Sequence, residues 1–174
     1  GGTVTTSGDY KIHTFTGDGC FVVSDIGTGP TAGKISYMVV AGGGSAQDGG
    51  AGAGGFREGK DTGDSYSVSP LDAGAGLTLT ATSYPVTVGA GAAYTPTPGC
   101  RSGSNSVFST ITSAGGGFGA TQDNGTPGGP GGSGGANRGG SGGTGNTPPV
   151  SPPQGQPGGN STGPSSGAGG GGGA

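Results

Sequence analysis

The chain has 174 residues, of which 50 are Gly and 13 are Pro, a composition typical of low-complexity chains. Yet only 9 % of residues are charged and the formal net charge is -3, so charge repulsion does not hold the chain open. Six scattered Lys and Arg give no basic stripe for nucleic acid. No apolar run approaches the roughly 18 residues of a membrane span, and no charged head with an apolar stretch opens the chain, so no signal peptide is read in it.

The first two thirds read as short strands. Tyr10–Thr16 alternates apolar and polar residues, Gly17-Asp18-Gly19 reads as a tight turn, and Cys20–Ser24 reads as the returning strand of a hairpin. Ile35–Val40 is the strongest β run, rich in β-branched and aromatic residues. Ser65–Ser69, Leu77–Ala81, Tyr84–Val88 and Ser106–Thr112 complete the expected set. Pro85 lacks a ladder donor and so points to an edge or the start of a strand. No stretch carries a helical apolar period. Short strands at close spacing imply an all-β fold, sandwich-like or a small barrel, with no helices.

The way these strands end is unusual. Val39-Val40 runs into Ala41-Gly42-Gly43-Gly44, Val86-Thr87-Val88 into Gly89-Ala90-Gly91-Ala92, and Ile111-Thr112-Ser113 into Ala114-Gly115-Gly116-Gly117. Gly49–Gly55 precedes Phe56-Arg57 in the same way. Hairpin turns need one or two glycines, so these runs read as strands continuing past their sheet as extended glycine-rich chain.

The composition changes near residue 114. All aromatics lie at or before Phe118, and no charge follows Arg138. Two regions are therefore expected, a β-rich domain over 1–114 and a Gly/Pro-rich tail over 115–174. In the tail Gly recurs at 125, 128, 131 and 134, at 139, 142 and 145, and at 167, 170 and 173. Period three is the repeat of the left-handed polyproline-II helix. The lapses exclude a collagen triple helix, whereas a polyglycine-II bundle needs Gly only on faces that touch another helix. Ordering glycine costs about 0.5–1 kcal/mol more than ordering Ala, so 50 glycines add on the order of 25–50 kcal/mol. Apolar residues make up 26 % of the chain and cannot offset that alone. Dense backbone hydrogen bonding and dispersion contact between closely packed chains are needed.

No constellation supports catalysis. His13, the one histidine, has no neighbouring nucleophile. The loop Arg57-Glu58-Gly59-Lys60-Asp61-Thr62-Gly63-Asp64 carries oxygens that suit a hard cation, but its spacing is not that of a calcium loop, so it reads as a solvated loop without metal. Gly52-Ala53-Gly54-Gly55 lacks the Lys-Ser/Thr of a phosphate-binding loop. No cofactor is implied. Cys20 and Cys100 fit no metal motif, and sequence alone leaves open a disulfide or two free thiols. Asn124-Gly125-Thr126 and Asn160-Ser161-Thr162 match the glycosylation pattern, as a Ser/Thr/Gly-rich tail does by chance.

Five segments occur in one order: Ser7–Thr16, Ile35–Gly44, Gly52–Arg57, Tyr84–Gly91 and Gly103–Thr112. That order resembles the glycine-rich domain of bacteriophage tail fibres and other virion surface proteins. The resemblance implies a virion structural protein with polyglycine-II packing whose loops meet the host. It implies a location on the virion surface, assembly with copies of itself and with other virion proteins, and a host-cell glycan or protein as receptor. It brings no catalytic residues. Loops 45–64 and 93–105 are expected to be exposed, with Gln47, Asp48, Arg57, Glu58, Lys60, Asp61, Asp64, Tyr94 and Arg101 as candidate contact residues. The alternative is a self-assembling extracellular filament or matrix subunit without a receptor.

Overall fold

A computed structural model of the chain describes residues 1–94, 99–120, 127–161 and 167–174. Part of the 93–105 loop, Gly125, the Asn124-Gly125-Thr126 pattern and Thr162 of the second pattern lie outside the described residues. Among the described residues the fold is all-β, with no helix. Its strands are β1 (Thr3–Ser7), β2 (Tyr10–Thr14), β3 (Gly19–Val22), β4 (Lys34–Ile35), β5 (Tyr37–Val40), β6 (Phe56–Gly59), β7 (Leu77–Thr78), β8 (Ser83–Thr87), β9 (Ser106–Phe108) and β10 (Ile111–Ser113). They form small antiparallel sheets: β1-β2, β4-β7, β5-β6 and the four-stranded β10-β9-β8-β3.

Two expectations are corrected here. β2 and β3 do not form a hairpin. β2 pairs back onto β1 across the turn at Gly8, which has a φ of 57°, and β3 pairs with the distant β8. The Gly17–Gly19 turn is held instead by Asp18, whose Oδ1 accepts the Val88 N–H at 2.8 Å. Ser65–Ser69 is not a strand. Its groups are engaged elsewhere: Ser69 N and Oγ both donate to the Glu58 carboxylate, and the Tyr66 carbonyl accepts from Lys60 Nζ. Such side-chain bonds compete with a ladder. β1 and β6 are strands that the alternation pattern did not mark. Pro85 lies inside β8, where β3 pairs alongside but β9 reaches only Val86 and Thr87, so its missing N–H breaks no bond to β9.

The apolar core is small. Val39, Leu79 and Val86 are its only buried residues larger than Ala among those described. Phe21 packs edge-on against His13 and Phe108 at centroid distances of 4.8 and 5.9 Å, joining the β1-β2 sheet to the four-stranded one.

The larger structure is the glycine lattice. β5, β8 and β10 run on into extended segments 41–45, 89–92 and 114–120, while segments 50–55 and 101–105 run into β6 and β9. Further segments 128–131, 132–137, 140–145, 154–160 and 167–174 stack beside them. Their backbone bonds repeat every third residue. Gly52 and Gly55 donate to Gly117 and Ala114, whereas Gly50 and Ala53 donate to Gly169 and Gly172. Gly116 and Gly119 donate to Gly42 and Ser45, and Gly117 and Ala120 to Ser133 and Ala136. With about three residues per turn, successive N–H groups point to different neighbours. Segment 132–137 therefore exchanges bonds with segments 50–55, 114–120, 128–131, 140–145, 154–160 and 167–174. This is polyglycine-II packing. It interleaves segments from before and after residue 114.

Close approach explains the glycines. A Cβ on Gly135 would overlap the Phe118 carbonyl, one on Gly117 the Gly129 carbonyl, and one on Gly134 the Gly143 carbonyl. Polar side chains finish the seam between sheets and lattice. Ser106 Oγ accepts the Gly89 N–H at 2.9 Å, and Asn105 Oδ1 accepts the Gly115 N–H at 2.9 Å. Gln154 is 1 % exposed; its Oε1 accepts the Ala114 N–H at 2.8 Å and its Nε2 donates to the Pro148 carbonyl at 2.8 Å. Asn146 ties the Pro-rich turn, donating from Nδ2 to the Val150 carbonyl and accepting the Val150 and Gln154 N–H groups on Oδ1.

Gly135→Val is expected to cost more than about 3 kcal/mol in a denaturant melt, since the neighbour is rigid backbone. Gln154→Ala, which strands a buried N–H and opens a cavity, is expected to cost about 2–4 kcal/mol. Either variant melting like the parent chain contradicts this packing.

Candidate functional site

Lattice segments alternate in direction along the chain. Segment 50–55 runs against 41–45, since Ala41 and Gly44 donate to Gly55 and Gly52; 101–105 does the same, through Gly42 to Ser104 and Ser45 to Arg101. Segments 114–120 and 132–137 run with 41–45, and 167–174 runs against 132–137 through Gly169 to Asn137 and Gly172 to Gly134. All strands that enter or leave the lattice therefore join it at one end, which also holds the Pro-rich turn 146–153, and the connections at 46–49 and 138–139 lie at the other.

The loop end collects four of the candidate contact residues. Ala120 O accepts the N–H groups of Gln47 and Asp48 at 3.4 and 3.1 Å. Arg101 N donates to Ser45 Oγ at 2.9 Å, and Ser45 N donates to the Arg101 carbonyl at 2.8 Å. Arg138, which no motif in the sequence singles out, pairs with Asp48 at 3.1 Å. Tyr94 follows segment 89–92 at the same end and is 55 % exposed. Arg101 is exposed, and Gln47 and Asp48 are half-buried.

The other candidates sit at the strand end and serve one another. Arg57 and Glu58 belong to β6 rather than to a loop, and Glu58 is only 9 % exposed. Its burial corrects the expectation of an exposed contact residue; two donors from Ser69 balance its charge. Lys60 N donates to Asp72 Oδ1 at 2.8 Å, and Lys60 Nζ lies 5.4 Å from the Tyr66 ring centroid. Ser36 Oγ donates to Asp64 and accepts the Asp61 N–H, while Lys34 pairs with Asp61 at 3.8 Å. These half-buried groups brace the loop after β6.

Cys20 and Cys100 are free thiols, so the disulfide left open by the sequence is not formed. Cys20 is exposed on β3 beside Ser83 Oγ at 2.7 Å, whereas Cys100 sits at the loop end with its Sγ 3.7 Å from the Ala120 carbonyl. Burial pushes the Cys100 thiol up, against a smaller opposing pull from a Gln47 backbone contact. Burial likewise raises Tyr37 and Tyr66. His13 Nδ1 lies 3.0 Å from the Gly1 carbonyl. Among the described residues no group of three or more His, Cys, Asp or Glu side chains gathers as a metal set, and no helix is long and apolar enough to cross a membrane.

The profile of a family described as a glycine-rich domain matches residues 22–174. The chain belongs to that family. Curated proteins and solved structures give no match. The match takes in the lattice and nearly all the strands that feed it, and leaves out β1, β2 and most of β3. The glycine-rich domain is thus the lattice together with the sheets at its strand end.

Two outcomes test this geometry. At neutral pH, Cys20 is expected to react with a maleimide well before Cys100, because the Cys100 thiolate is disfavoured by burial; the reverse order contradicts the placement. The raised Cys100, Tyr37 and Tyr66 acids resist ionisation in the folded chain. Their stabilising effect is intact below their ordinary values and is lost as pH climbs through the raised ones, so denaturation midpoints are expected to fall above about pH 9. Midpoints that stay level to about pH 11 contradict it.

Proposed function

We propose that this glycine-rich domain is a structural module of a bacteriophage virion, of the tail-fibre or surface-fibre kind. In this reading it holds a cluster of loops rigidly toward the host surface and catalyses nothing. The observation that supports the reading most is the alternating lattice, which brings Gln47, Asp48, Tyr94, Arg101 and Arg138 to one end, away from the strands. The ordered segments that resemble phage surface proteins point the same way. Tyr offers an aromatic face for a sugar ring or an apolar side chain, and the Arg, Asp and Gln groups offer hydrogen bonds, so a surface glycan or protein is the class of receptor that suits the cluster. A location on the virion surface and contacts with other virion proteins follow from the same reading.

A self-assembling extracellular filament or matrix subunit is the second reading. The mostly exposed segment 167–174 at the edge of the lattice favours it, since a filament needs free lateral faces.

Immunogold electron microscopy with an antibody against this chain, on particles from its source, separates the two. Gold on tails or fibres of capsid-bearing particles is the expected result. Gold along filaments free of capsids overturns the first reading. With fluorescently labelled chain on host cells, Tyr94→Ala with Arg101→Ala is expected to lower binding about tenfold or more. Unchanged binding removes the loop end as the contact surface.

A further inference from the structure

We propose that the flank formed by residues 167–174 pairs with a second copy of this chain, extending the polyglycine-II lattice across a subunit boundary. The first observation is unpaired backbone. Within this segment Gly169 and Gly172 donate to Asn137 and Gly134, and the carbonyls of Gly169, Gly170, Gly172 and Gly173 accept from Gly50, Gly159, Ala53 and Gln156. The N–H groups of Gly170, Gly171 and Gly173 and the carbonyls of Ala168 and Gly171 have no partner among the described residues. In a three-residue turn these free rows are adjacent and lie opposite segment 132–137. They form an edge that can continue the pattern already made inside the chain.

The second observation is steric. Gly169, Gly171 and Gly172 are required by neighbours, since a Cβ there would overlap the carbonyls of Gly159, Ala51 and Gln156. Gly167, Gly170 and Gly173 are not: a Cβ at each meets nothing within 4 Å, and none has a positive φ. Glycine at an ordered position where Ala would fit loses stability without any return inside the chain. Three such positions in one frame of three face the direction of the free rows. Close backbone approach from outside is what glycine there permits.

The edge is also undefended. Sheet edges that stay solitary carry charges, Pro or bulges. Residues 167–174 carry no charged side chain and no Pro. At the end of the segment Ala174 borders an apolar cleft of about 420 Å³ formed with Phe56, Ser69, Pro70, Leu71 and Gln156. That cleft supplies side-chain area next to a face that has none. A second copy is the fitting occupant because it brings the same Cβ-free face and the same free donors and acceptors, which a twofold contact sets against each other. The flank is distinct from the loop end, so the inference stands or falls apart from the attachment reading.

Sedimentation velocity of the full chain over a wide concentration range tests it, together with Gly170→Val/Gly173→Val. The parent chain is expected to associate reversibly. The double variant is expected to keep the parent's dilute-solution Tm and to associate at least about tenfold more weakly. A parent chain that is monomeric throughout, or a variant that associates as the parent does, overturns the proposal. If the Val pair fails to fold, the milder Gly170→Ala/Gly173→Ala pair takes its place: weaker association at the parent's Tm is expected, and failure to fold or association like the parent's overturns the proposal. Host-cell binding measured on the same variants separates the surfaces: binding retained with association lost is the expected pattern.

Discussion

Everything in this chain depends on how closely one backbone can approach another. An extended chain with three residues per turn directs its N–H groups outward in three rows, and each row needs carbonyls from a neighbour. Those carbonyls come within reach only when no Cβ stands between the chains. Glycine at 117, 134 and 135 is a steric requirement of that approach, since a side chain at any of them would occupy a carbonyl oxygen's place. The entropy that glycine loses on ordering is offset by bonds made in several directions at once rather than by an apolar core, of which the chain has little.

The sheets have a supporting role. They set the spacing and starting direction of the segments that run from them, and Ser106, Asn105 and Gln154 carry the hydrogen bonding across the change from ladder to lattice. Because segments alternate in direction, the connections that carry Gln47, Asp48 and Arg138 collect at the end away from the strands. Rigid scaffold and displayed loops are thereby separated in space.

Much of this was legible in the sequence. The runs after Val40, Val88 and Ser113 are what extended segments leaving a sheet look like, and the three-residue spacing of Gly142 and Gly145, which both abut segment 154–160, carries the lattice period. Strand partners were not legible. Gly17-Asp18-Gly19 has the composition of a hairpin turn, but β2 is claimed by β1 just before it and β3 by β8, far along the sequence. Ser65–Ser69 alternates like a strand, but local bonds to Glu58 and Lys60 outcompete a ladder. The polar run 57–64 looked like a solvated loop because its internal pairing, with Glu58 buried against Ser69, depends on residues eleven positions away. The loop-end cluster was half visible: Gln47, Asp48, Tyr94 and Arg101 stood out as polar or aromatic residues among glycines. Arg138 joins them only through the direction of segment 132–137, which no local pattern encodes.

Residue-resolved amide hydrogen exchange on the native chain tests the lattice most directly. Every N–H from Gly132 to Asn137 donates to a carbonyl of another lattice segment, four segments in all, so all of them are expected to exchange at the rate of global unfolding. Between protected neighbours, Ala51 and Phe118, whose N–H groups make no such bond among the described residues, are expected to exchange fast. Uniformly fast exchange through residues 132–137 would contradict a polyglycine-II lattice and leave the sheets as the only ordered part of the chain.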